Sequence, residues 1–240
     1  MESMNGNNTT QKNGNAVLSS RFDFSDGANN QVEIALMPSV DMLLGQIIAE
    51  CVQMGCKIMV EGSVIDSKTG KNVCRIEYET IPDLEKGEQV TRGAFYSNKD
   101  KNEGAFIYEK VSLDAPSSWM YVKGNMSTHS GIDSRERLVI TSGAASIRMN
   151  GIINDFPVSG KIRFEKSGAI VHTGSINDIE FERKLVQDEN SDMAYITGKV
   201  GNLTEQGEAV LQSDGSILLD RNIGQFHVIQ KVYIVCIPEE

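Results

Sequence analysis

Residues 74–80 read Cys74-Arg75-Ile76-Glu77-Tyr78-Glu79-Thr80. Cys74, Ile76, Tyr78 and Thr80 alternate with three charged side chains, and a period of two is that of a strand with one buried and one wet face. The apolar run Ile58–Ile65 precedes it, joined by Asp66-Ser67-Lys68-Thr69-Gly70, turn chemistry that predicts a hairpin. Further along, Ser146-Ile147-Arg148-Met149, Asn150-Gly151 and Ile152-Ile153 predict a second hairpin, because Asn-Gly supplies both positive-φ positions of a two-residue turn. Lys166-Ser167-Gly168 and Asp214-Gly215 mark two more turns. Short strands are expected at 105–113, 118–123, 136–142, 160–165, 176–183, 193–200 and 207–212. The last, Phe226–Ile237, is apolar on both faces from Val232 onward, so it should be central or covered.

One stretch follows the other period. Val40, Leu43, Leu44, Ile47, Ile48, Cys51 and Val52 recur at helical spacing, which predicts an amphipathic helix over 39–54. Ser39 is placed to cap it, Asp41 suits its N-terminal end, and Gly55 can end it. Residues 1–15 carry five Asn and almost no apolar side chains, so a disordered tail is expected there. The remainder, 16–240, reads as one domain: an all-β, mostly antiparallel sandwich of jelly-roll type, with that helix laid on it. The stretch 126–134, Met-Ser-Thr-His-Ser-Gly-Ile-Asp-Ser, is the most linker-like internal segment and the one place for a subdivision.

Candidate chemistry is thin. Cys51 and Cys56 are not spaced as a zinc knuckle, and Cys51, Cys74 and Cys236 sit in apolar patterns, so reduced thiols acting as small hydrophobes are expected, with no metal. His129 lies among Ser127, Thr128 and Ser130 without a nucleophile elbow; His172 and His227 read as solvent-face or satisfied strand residues. Gly70-Lys71, Gly160-Lys161 and Gly198-Lys199 lack the frame of a phosphate loop. Asp188-Glu189-Asn190-Ser191-Asp192 lacks the glycine and glutamate of a calcium loop and reads as solvated. Trp119 reads as filling a core edge. No catalytic residue and no cofactor is assigned.

A net charge of −10 opposes nucleic-acid binding, although Arg135, Arg137, Arg148, Lys161 and Arg163 form a basic face if their segments are neighbours. No apolar run approaches a membrane span, and residues 1–15 lack a secretory pattern, so no membrane insertion and a cytoplasmic or virion setting are expected. The reading is a non-enzymatic structural or assembly protein of viral or phage type. It should work as a homo-oligomer through Val232, Tyr233 and Val235 on the two-sided apolar strand. Two alternatives stand beside it. The helix, Ile58–Ile65 and then Asp66 at the turn resemble plant-virus movement proteins of the jelly-roll superfamily over about a tenth of the chain, which implies nucleic-acid binding. The other alternative is a carbohydrate- or small-ligand-binding or hydrolytic β-sandwich.

Overall fold

The computed structural model describes Val32, Ala35, Leu36, Asp41 and residues 54–97, 104–114, 119–128, 131–143, 146–153, 156–176 and 179–236. Almost all of it is antiparallel strand. In chain order the strands are β1 (Cys56–Asp66), β2 (Lys71–Asp83), β3 (Glu88–Ser97), β4 (Gly104–Asp114) and β5 (Trp119–Thr128). Then come β6 (Gly131–Gly143), β7 (Ser146–Ile153), β8 (Phe156–Phe164), β9 (Ile170–Ile176) and β10 (Ile179–Gln187). The chain closes with β11 (Met193–Val200), β12 (Leu203–Leu211), β13 (Ile217–Ile223) and β14 (Phe226–Cys236).

Each strand pairs with the one before it, and β14 returns to pair with β1 from Cys56↔Cys236 to Asp66↔Phe226. The result is a closed up-and-down barrel. A jelly roll needs two Greek keys, with chain-distant strands side by side in each sheet. Among the described strands the only chain-distant pair is the seam, so the expected sandwich topology is corrected. Closure also explains β14. Its even positions, Phe226, Val228, Gln230 and Val232, are buried inside, while Ile229, Lys231 and Tyr233 lie on a half-buried outer wall. No covering helix is required.

The Asp66–Gly70 hairpin forms as expected. The Gly70 amide donates to the Asp66 carbonyl at 2.7 Å, and the Lys68 amide to the Asp66 carboxylate at 2.9 Å. The Asn150-Gly151 hairpin does not. Both residues lie inside β7, with Asn150 between Val139 and Ser159 and Gly151 between Leu138 and Val158. Two flanking ladders outweigh a two-residue turn preference, because a turn there would forfeit pairing on both sides. The expected strand at 176–183 straddles the β9–β10 connection, and β3 and β13 are strands beyond those expected. Residues 126–134 are mostly strand: Met126–Thr128 end β5 and Gly131–Ser134 begin β6, paired through a bulge.

The helix expected over 39–54 and the tail 1–15 fall almost wholly outside the described residues. Asp41, the one described position of that helix, is not helical, whereas Val32, Ala35 and Leu36 are. Those three belong to one apolar cluster with inward residues of the wall, among them Ile58, Ile76, Phe181, Ile196, Leu219 and Val228. The barrel interior therefore holds part of the chain's own N-terminal region. Cys56 and Cys236, opposed at the seam, form a disulfide, and Cys74 is a buried free thiol. The expectation of reduced thiols throughout is corrected accordingly: directly opposed positions on paired strands bring two cysteines within bonding reach however far apart they are in sequence.

Candidate functional site

Strand alternation puts Phe181, Arg183 and Leu185 of β10 on the inner face, with Glu205 of β12, Arg221 of β13 and Gln230 of β14 in equivalent inward positions. All four polar residues are fully buried. Burial of this kind is tolerated only where every charge finds a partner. The Arg183 Nε donates to Glu205 Oε2 at 2.7 Å, and its Nη2 donates to the Ala35 carbonyl at 2.9 Å. From Arg221, Nη1 donates to Glu205 Oε1 at 3.2 Å and to Asp41 Oδ1 at 3.1 Å. Its Nη2 donates to Asp41 Oδ2 and, at 2.7 Å, to Gln230 Oε1. Burial works to lower the Arg221 pKa, but the Asp41 and Glu205 carboxylates outweigh it and hold the guanidinium well above its ordinary range. Two cations and two anions balance, and one of the anions, Asp41, comes from the N-terminal region. The network is a lock that holds Ala35 and Asp41 inside the barrel.

Its long side chains have room because a glycine faces each of them on an adjacent strand. Gly198 is opposite Arg183 and Glu205, Gly207 opposite Arg221, and Gly62 opposite Gln230. A Cβ on Gly207 would collide with Arg221, and one on Gly62 with Gln230.

Comparison with protein-family models, with curated proteins and with solved structures finds no match.

His172 is inside the barrel too, edge-on to Phe181 with ring centroids 4.8 Å apart. Its Nδ1 has no hydrogen-bond partner among the described residues, so the solvent-face or satisfied reading does not hold. Burial, then the charge of Arg183, pushes its pKa down to about 4. The unfolded chain takes up a proton near the ordinary pH 6.5 while the barrel refuses it until about pH 4. Stability should therefore fall as the pH drops through that window, by up to about 3 kcal/mol. His172→Phe should flatten that slope in denaturant titrations at pH 7 and 4.5; an unchanged slope would remove His172 as its source.

The remaining sequence candidates lie apart. His227 Nε2 and Asp220 Oδ1 meet at 2.7 Å on the outer wall. Asp188 to Asp192 form the exposed β10–β11 turn, with the Asp188 carboxylate accepting from the Asn190 amide at 2.9 Å and the Ser191 hydroxyl at 2.8 Å. His129 and Cys51 lie outside the described residues, as do the side chains of Trp119 and Tyr121. Val232 faces inward and is buried, so of the three expected interface residues only Tyr233 and Val235 lie on the outer wall. A shallow depression over β1–β3, edged by Met59, Glu61, Glu77 and Tyr96, is bounded by Glu79, which Lys57 and Arg92 already pair.

One further feature is spread around a barrel end. Register puts the start of β1, the end of β14 and the β2–β3, β8–β9, β10–β11 and β12–β13 turns at the same end. Eight large apolar side chains stand exposed among the described residues, and seven occupy this end. They are Met54, Leu84, Phe164, Val186, Tyr195, Leu211 and Val235; Ile152 alone is at the other.

Proposed function

We propose that the chain is a non-enzymatic assembly protein that associates with its own copies through this apolar barrel end. The concentration of exposed apolar side chains at one rim is the observation that carries the reading. Scattered singly they would mean nothing, but gathered on one surface they mark an interaction site. The lock inside the barrel points the same way: its charged groups are consumed in holding the N-terminal region, and reach no solvent from which a substrate could approach. Outward positions of β10 and β11 carry Glu180, Glu182, Lys184, Thr197 and Lys199, which suits water and not a hydrocarbon band. Among the described residues no helix is long and apolar enough to cross a membrane.

Acidic turns surround the rim, including Glu165, Asp188, Glu189, Asp192 and Asp214. Facing copies therefore repel, and salt should screen that repulsion and tighten the association. Light scattering at tens of micromolar protein should give a multiple of 26.3 kDa, increasing with salt from about 50 to 500 mM. Phe164→Lys with Leu211→Lys should release monomers of unchanged melting temperature. A monomeric wild type at the higher salt would end this reading.

A further inference from the structure

Part of the outer wall is rich in cations and poor in acids. On β5 to β8, the stretches 119–125, 135–141, 146–152 and 157–163 contain six cations: Lys123, Arg135, Arg137, Arg148, Lys161 and Arg163. They contain one acid, Glu136, and alternation assigns it the opposite face from Arg135 and Arg137. Register aligns the cations. Lys123 is directly opposite both Lys110 of β4 and Arg137 of β6, and Arg148 is directly opposite Lys161. The shared face is the outer one, since Arg148, Asn150, Ser159 and Arg163 are exposed while Met149 and Val158 are buried.

Like charges directly opposite one another weaken a strand pair. The cations of β1 to β4 instead meet acids: Lys57 and Arg92 pair with Glu79, Arg75 with Glu77, and Lys110 with Glu88. No described acid bridges to Arg148, Lys161 or Arg163. On a chain of net charge −10, such a patch is the reverse of what average composition produces. Tyr108, Trp119 and Tyr121 hold register positions on the same face, Tyr108 opposite Asn125 and the other two alternating with Lys123.

We propose that the β4–β8 wall binds single-stranded nucleic acid, with phosphates on the cation rows and bases on the aromatic positions. Strands about 4.8 Å apart place the rows across roughly 19 Å of wall, room for a few consecutive phosphates. Aromatic positions beside cations are what a sequence-tolerant single-strand platform uses. Net charge sets the long-range field, and the local field over this wall has the opposite sign. The inference rests on neither the rim nor self-association.

Fluorescence anisotropy with a labelled 20-nucleotide oligo(U), at 50 to 300 mM salt, tests it on the full chain. Three to six phosphate contacts predict a slope of log K against log salt of about −2 to −4. Arg137→Gln/Arg148→Gln/Lys161→Gln should weaken binding at least tenfold and flatten the slope. Lys57→Gln/Arg75→Gln/Arg92→Gln, on the acid-paired part of the wall, should change it less than twofold. Loss of near-ultraviolet dichroism would disqualify a variant, but the wild-type slope stands without it. No binding at 50 mM salt, equal losses in both triple variants, or binding to phosphatidylserine vesicles without binding to oligo(U) would overturn the proposal.

Discussion

Arg221→Ala is expected to destabilise the barrel by about 3–5 kcal/mol, the range seen when one partner of a fully buried ion pair is removed. The substitution strips Asp41, buried and charged, of both its Arg221 hydrogen bonds, and leaves Glu205 with Arg183 but without Arg221. It also frees the Gln230 side-chain oxygen. Denaturant titration reads the effect directly. Asp41→Ala with Arg221→Ala should cost less than the sum of the single changes, because the second no longer strands the first. A midpoint shift below about 1 kcal/mol for Arg221→Ala would mean that water reaches the site and that the N-terminal region is not locked by it.

Reduction of the Cys56–Cys236 bond is the second large effect. The bond closes a loop across a sequence separation of 180 residues. Chain-entropy arithmetic gives about 5 kcal/mol for a loop of that length, and removal of native disulfides typically costs 2–5 kcal/mol. Thermal melts of the wild type should therefore drop sharply with reductant. Cys56→Ser/Cys236→Ser should melt near the reduced value and ignore reductant. A wild type whose melting temperature is indifferent to reductant would show the seam holding by its backbone ladder alone.

Much of the wall was legible in residue order. Alternation placed β2, and apolar runs between turn signals placed β1, β11 and β14, to within a few residues; Asp66–Gly70, Lys166–Gly168 and Asp214-Gly215 behave as the turns their chemistry dictates. Closure was not legible, because Cys56↔Cys236 is a relation between residues too distant for any local pattern. Asn150-Gly151 misled for the opposite reason: its local signal is strong, and pairing on both sides overrides it. The lock left a signal that alternation contains. Arg183 sits between Phe181 and Leu185, Arg221 between Leu219 and Ile223, and Gln230 between Val228 and Val232, each in the apolar register of its strand. A charge in that register has to find a buried partner. What could not be read is which partner, since Asp41 belongs to a stretch whose period points to a helix.

The seam has a consequence for the nascent chain. Of the described strands β1 is made first and β14 last, with 160 to 180 residues between paired positions. At the usual elongation rate of about 5–20 residues per second, β1 waits roughly 10–30 s for its second neighbour. Throughout that interval the growing sheet has two open edges, each able to recruit a strand from another ribosome's product. Translation speed and molecular crowding at the polysome thus act on this protein in a way they do not act on the finished molecule, whose sheet has no edge to offer.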